Sequence, residues 1–142
     1  DIVAPNVDGM TRAMALALAD AGLNAHDLAY INAHGTGTRA NDRAETQALK
    51  RLFGDRPLPP TSSIKGVTGH ALGAAGAFEA IATIMAIENA MAAPTGHFDA
   101  PDPACNFDCV PNQARAMPIP VAMSNSFAFG GLNTALIFKS LS

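Results

Sequence analysis

Three ionisable side chains stand among glycines in this sequence: His34 immediately before Gly35, and Lys65 and His70 around Gly66 and Gly69. Glycine carries no Cβ, so backbone and ligand can approach one another closely at such segments. A neutral imidazole donates an N–H bond, and two such donors converging on one thioester carbonyl would stabilise an enolate forming there. A nearby ammonium disfavours the imidazolium and so keeps a neighbouring histidine a neutral donor. Together these groups suit chemistry that breaks or makes a carbon–carbon bond beside a carbonyl. A lone histidine is more often structural, but two histidines and a lysine, each expected in a strand-end loop among small residues, favour a site.

Other chemistries fit these residues less well. Zinc would want a third ligand and a pair such as His-Glu-x-x-His, which is missing, so no metal is expected. A phosphate-binding loop needs Gly-Lys-[Ser/Thr], whereas Lys65-Gly66 runs in the reverse order. Gly69, Gly73 and Gly76 do not have Gly-x-Gly-x-x-Gly spacing, and no Gly-x-Ser-x-Gly elbow exists, so Ser124 and Ser126 read as strand and turn residues. Cys105 and Cys109 lie in a proline-rich stretch without a histidine motif, and neither has the setting of an activated thiolate.

The elements that must position these groups follow from periodicity. Met10, Met14, Leu18 and Ala21 predict a helix over about 8–21, with Gly22 as its stop. Leu28–Ala33 is a short apolar run and reads as a buried strand ending at the His34 loop. Asp42 and Glu45 fit a capping box for a second helix that reaches Gly54. A short strand near Thr61–Ile64 precedes the Lys65–His70 loop, and a long helix is predicted from about Leu72 to Ala92. Pro94 to Pro120 holds six of the ten prolines and is expected to be an irregular excursion. Val121–Ser126 and Asn133–Lys139 read as strands flanking the turn Phe127–Gly131. The predicted class is therefore α/β with a mixed sheet, and ligands of such sheets bind at the carboxyl ends of strands.

Composition sets the bounds. The 142 residues carry 9 basic and 12 acidic side chains, a formal charge of −3, which argues against a nucleic-acid partner. Hydrophobic residues make up 49% and charged residues 15%, against roughly 25% charged in an ordinary soluble domain. Glu79 and Glu88 interrupt the longest apolar candidate, so no membrane span is expected, nor is an export signal or a disulfide framework. In the third helix Phe78, Ile81, Ile84, Met85, Ile87 and Met91 do not share one face. A helix apolar nearly all round belongs inside a larger protein, which predicts a further layer against it. The first residue is Asp1 rather than Met, and we expect the chain to be part of something longer.

Three motifs then resemble one family. Asn32-Ala33-His34-Gly35-Thr36-Gly37-Thr38, with Asn41-Asp42 and Glu45-Thr46 behind it, is similar to the His-Gly-Thr-Gly-Thr signature of β-ketoacyl synthases. Ser62–His70 followed by Gly73-Ala74-Ala75-Gly76 resembles that family's lysine and second-histidine motif. Ser124–Asn133 resembles its Phe-Gly-Gly-x-Asn turn, with Ala128 where the family usually has glycine. The motifs occur in family order across essentially the whole chain, and only the C-terminal half of such an enzyme is matched.

The resemblance implies the thiolase-like fold, five layers (αβαβα) in two similar halves, of which residues 1–142 would be the C-terminal domain. It implies a decarboxylative Claisen condensation making 3-oxoacyl-carrier protein, in fatty-acid or polyketide synthesis. His34 and His70 would hold the malonyl thioester oxygen, Lys65 would tune His70 and its surroundings, and Glu79 would partner the lysine. Thr36 and Thr38 would bind substrate at the phosphopantetheine entry, Phe127 would also bind substrate, and Phe129 would gate the acyl pocket and lend an N–H to the oxyanion hole. No cofactor is implied beyond the phosphopantetheine that carries the substrates on acyl carrier protein. Implied partners are the N-terminal half with its nucleophilic cysteine, acyl carrier protein and a second copy in a homodimer, with no membrane, in the cytoplasm. This half alone is expected not to condense anything. Two alternatives stay open: a chain-length-factor-like subunit without the cysteine, and a free-standing binding domain.

Overall fold

The computed structural model describes residues 4–141. Helix α1 spans Val7–Asp20, capped by Asn6, whose side-chain oxygen accepts from Gly9 N at 2.9 Å. Strand β1 is Tyr30–Asn32 and helix α2 is Arg39–Phe53, ended by Gly54. The start of α2 differs from the sequence expectation: Thr38 caps it, and the Asp42–Glu45 box does not form because the Glu45 carboxylate turns back to the preceding loop.

Strand β2 holds only Thr61–Ser62. A helical turn, α3 (Lys65–Thr68), follows where a loop was expected, and a 3-10 turn over Leu72–Ala74 leads into α4 (Ala75–Glu88). The long helix is therefore shorter at both ends than its composition predicts. Ala90 adopts φ +47, which closes the helix, and Met91–Ala92 becomes β3, paired antiparallel with β4 (Arg115–Ala116). The rest of the proline-rich excursion is largely irregular, tied by reciprocal main-chain bonds of Thr95 with Val110 and Asn112, 2.9 Å each. Strands β5 (Val121–Phe127) and β6 (Asn133–Lys139) flank a 3-10 turn over Phe129–Gly131.

The main sheet is mixed, in the order β2-β1-β5-β6, with β2, β1 and β5 parallel and β6 antiparallel. Because the first three run the same way, the loops after Asn32, Ser62 and Phe127 emerge at one edge. Alternation along the strands creates two cores. Ile31, Met123 and Phe127 pack with Met10, Met14, Leu18, Leu49 and Phe53 of α1 and α2. Tyr30 and Ala122 point the other way and join Ala86 of α4, with Val110 and Ile119.

Helix α4 is inverted relative to an ordinary surface helix. Its buried stripe is Ala75, Glu79, Thr83 and Ala86, while Phe78, Ile81, Ile84 and Met85 are 51%, 55%, 40% and 55% exposed. Asn32 explains the inward polar choice: its side-chain amide donates to Glu79 O at 3.0 Å and Thr83 Oγ at 3.2 Å. No described helix is long and apolar enough to cross a membrane.

Candidate active site

The first loop is built around Glu45. The backbone N–H groups of His34 and Gly35 donate to its two carboxylate oxygens, each at 2.9 Å, and the amides of Asn41 and Asn125 approach the same oxygens at 3.4 Å. Burial pushes the Glu45 pKa up, and the Gly35 and His34 N–H groups oppose that rise. Gly35 is required here: its φ is +41, and a Cβ would lie 2.5 Å from Ser63 Cβ. Ser63 Oγ in turn donates to Gly35 O at 2.8 Å, which joins the His34 loop to the segment after β2. Periodicity assigned Glu45 to a helix cap and the motif resemblance set it behind the His34 loop, but neither says that its carboxylate accepts from the His34 and Gly35 N–H groups.

The second loop brings in the lysine. Lys65 is 8% exposed and its ammonium donates to His34 O at 2.5 Å, to His34 Nδ1 at 3.3 Å and to Glu79 Oε1. Burial pulls the lysine down to about 8, with the Glu45 carboxylate opposing, so it remains an ammonium at neutral pH. Glu79 is itself buried, and its second oxygen accepts from Ser126 Oγ at 3.0 Å. Lys65 thus bears directly on His34 rather than on His70.

The two imidazoles meet edge to face, ring centroids 5.4 Å apart and planes at 82°. His34 is buried and pushed down to about 4, first by burial and then by the Lys65 and His70 charges. Its ring is therefore neutral at pH 7, and with Lys65 donating to Nδ1 its own proton sits on Nε2. His70 is solvent-exposed, and Leu72 N donates to its Nδ1 at 3.2 Å, which favours the same tautomer in the neutral ring. Leu72 adopts φ +49, a left-handed conformation unusual for leucine, in delivering that N–H. The result is two imidazoles at the carboxyl edge of the sheet whose Nδ1 atoms are both engaged, His34 by Lys65 and His70 by Leu72 N, which leaves Nε2 of each to donate.

The remaining expected residues divide. Phe127 is buried in the first core and meets the His34 ring edge-on at 5.9 Å, so it supports the imidazole from within. Phe129 is 74% exposed at the 3-10 turn. Ala128 has extended backbone (φ −128, ψ 166), which any residue adopts, whereas Gly130 and Gly131 carry the positive φ of that turn. Thr36 and Thr38 hydrogen-bond each other at 2.9 Å, and Thr38 caps α2 as well. A groove of about 890 Å³ between α2 and the excursion is lined by Thr36, Arg43, Ser63, Cys105 and Cys109, but by neither imidazole. Burial holds the Cys109 thiol above its ordinary pKa, the opposite of an activated thiolate.

Residues 1–99 match the family model "Beta-ketoacyl synthase, C-terminal domain". The chain is 51% identical to nodulation protein E of Rhizobium meliloti over 141 residues, covering 99% of this chain and 35% of the relative. It is 50% identical over 136 residues to 3-oxoacyl-[acyl-carrier-protein] synthase 2 of Synechocystis sp., covering 95% of this chain and 33% of that one. The chain therefore spans about a third of the length of the curated relatives it matches. Among solved structures, the ishigamide ketosynthase/chain length factor superposes with TM-score 0.97 and 42% identity, over 99% of this chain and 35% of that one. A ketosynthase in complex with a type II polyketide acyl-carrier protein gives TM-score 0.94 and 35% identity, over 99% and 35% of the two chains. With the motifs, the mixed sheet and these likenesses in agreement, the chain has the thiolase-like fold of a ketosynthase C-terminal half and belongs to the β-ketoacyl synthase C-terminal domain family.

Proposed function

We propose that this chain supplies the decarboxylation side of a condensing site in fatty-acid or polyketide synthesis, its substrate a malonyl thioester on the phosphopantetheine arm of an acyl carrier protein. The observation that carries the reading is the convergence of His34 and His70, 5.4 Å apart at the carboxyl edge of the sheet, with Lys65 bonded to His34. As the malonyl carboxylate leaves as CO₂, the electron pair of the broken carbon–carbon bond moves into the thioester, and the enolate oxygen accepts from the two Nε2–H groups. The enolate carbon then attacks the carbonyl of an acyl-cysteine. The new carbon–carbon bond forms as the cysteine thiolate departs.

That cysteine belongs to the N-terminal half, the first partner of this domain; carrier protein and a second copy of the complete enzyme are the others. Cys105 and Cys109 do not serve in its place. Thr36 and Thr38 border the path of the carrier arm, Phe129 gates the acyl pocket, and Glu79 holds Lys65. The proposed reaction needs no cofactor beyond the carrier's thiol. A purely structural partner subunit, the chain-length-factor-like alternative, would have no chemical need for three interlocked groups.

The test uses the protein with its N-terminal half. His34→Ala and His70→Ala should each abolish release of CO₂ from the malonyl thioester while acyl loading of the cysteine stays measurable. Retention of near-original decarboxylation by both variants would refute the assignment.

A further inference from the structure

Resting on the proposed function, we infer that Ser126 is a positioning residue: its hydroxyl fixes the Glu79 carboxylate so that Lys65 stays against His34. Ser126 lies on the face of β5 that meets α4, and Oγ donates to Glu79 Oε2 at 3.0 Å. Glu79 Oε1 accepts from Lys65, so serine and lysine are the two partners of this carboxylate among the described residues. The backbone of Glu79 is separately pinned by Asn32, 3.0 Å from its carbonyl oxygen. What Ser126 adds is orientation of the carboxylate plane, whose rotation about the last side-chain torsion is otherwise soft.

The lysine responds to that orientation. Its ammonium is a compact charge on a flexible stem, and it divides its bonds among Glu79 Oε1, His34 O and His34 Nδ1. A carboxylate free to turn would draw the ammonium after it, and the longest of the three bonds, that to Nδ1, would go first. The fold leaves room for the serine contact: one turn before Glu79 stands Gly76, where a Cβ would come within 3.2 Å of Ser126 Oγ. The charged and titratable groups facing His34 are Lys65 from α3, His70 from the following loop, Glu45 from α2 at the backbone N–H, and Glu79 behind the lysine. Burial contributes most to the low pKa of His34 and the Lys65 charge contributes next, so drawing the ammonium away from Nδ1 would weaken the second contribution and leave the first.

Two measurements on the protein with its N-terminal half test this: an NMR titration of the His34 imidazole, and the rate of CO₂ release from a malonyl thioester. Ser126→Ala should raise the His34 midpoint from about 4 toward the ordinary 6.5, and slow CO₂ release roughly tenfold at pH 6, the worth of one bond to a charged group. Ser126→Thr, which keeps the hydroxyl, should restore both. Gly76→Ala crowds the hydroxyl without removing it and should move the titration in the same direction, an independent route if Ser126→Ala does not fold. An unmoved His34 titration in folded Ser126→Ala or Gly76→Ala overturns the proposal, whatever the rate does. If instead His34→Ala leaves decarboxylation intact, it is the functional reading that fails, and the titration still reports on Ser126.

Discussion

His34 is kept a neutral donor by three separate circumstances: its burial, the ammonium on Nδ1 and the second imidazole 5.4 Å away. Only the ammonium also selects which nitrogen carries the proton, which makes Lys65 the residue whose titration governs the site. With His34 pushed down to about 4 and Lys65 to about 8, the donor arrangement should persist between those values. NMR of the imidazole should show His34 uncharged at pH 5.5, where an ordinary histidine is mostly protonated, and decarboxylation should decline above pH 8 as the ammonium is lost. Folding is linked to the same shift. The unfolded histidine binds its proton near 6.5 and the folded one only near 4, so this contribution to stability is fully present above 6.5 and is lost as pH falls toward 4. A stability that does not change between pH 6.5 and 4 in wild type relative to His34→Gln would contradict that linkage. The sequence made the identities of His34, Lys65 and His70 legible through their glycine neighbours. It did not reveal that Lys65 bonds His34 rather than His70, nor that Glu45 and Ser126 hold the arrangement, because those contacts join residues 11 to 47 positions apart.

At the scale of elements, the periodic segments were readable and the segments defined by distant partners were not. The spacing of Met10, Met14 and Leu18 places α1 correctly, and the alternation of Ala135 and Ile137 against Leu136 matches the faces of β6. The start of α2 was misplaced because Glu45, a good capping residue by type, gains more from two loop N–H groups than from a helix end. The C-terminus of α4 was overrun because alanine and methionine favour helix, while β3 exists only by pairing with β4 across twenty-odd residues of excursion. Helical turn α3 was hidden by Gly66, which reads as a loop residue yet serves close approach: a Cβ there would lie 2.4 Å from Gly96 O, and one on Gly96 would meet Val67 Cγ2 at 2.6 Å. Two glycines thus let α3, and Lys65 with it, nest against the excursion. Gly66→Ala should therefore destabilise the protein by about 1–3 kcal/mol, the usual cost of overpacking, read as a lowered denaturant midpoint, and should weaken decarboxylation by displacing Lys65. An unchanged midpoint would show that the two segments separate freely.

The whole molecule is a sheet with one face fully dressed and the other covered by a helix turned inside out. Each large apolar side chain on the outer face of α4 is worth roughly 1.5–3 kcal/mol when fully buried, and four of them point outward among Phe78, Ile81, Ile84 and Met85. The apolar composition of this helix announced that mismatch, but composition could not say that the buried stripe would be Glu79 and Thr83, chosen for Lys65 and Asn32. The same incompleteness shows at the site, where His70 and Phe129 are exposed at the sheet's open edge. On the proposed function, another half seated at this edge would cover both, and His34 and His70 would act on one enclosed oxygen. Groups that act as a unit are not additive. The direct measurement is CO₂ release from a malonyl thioester by the complete protein in a double-mutant cycle of His34→Ala and His70→Ala. We predict that the double variant is hardly slower than either single variant; two small losses that simply multiply would mean that the imidazoles do not share a substrate oxygen.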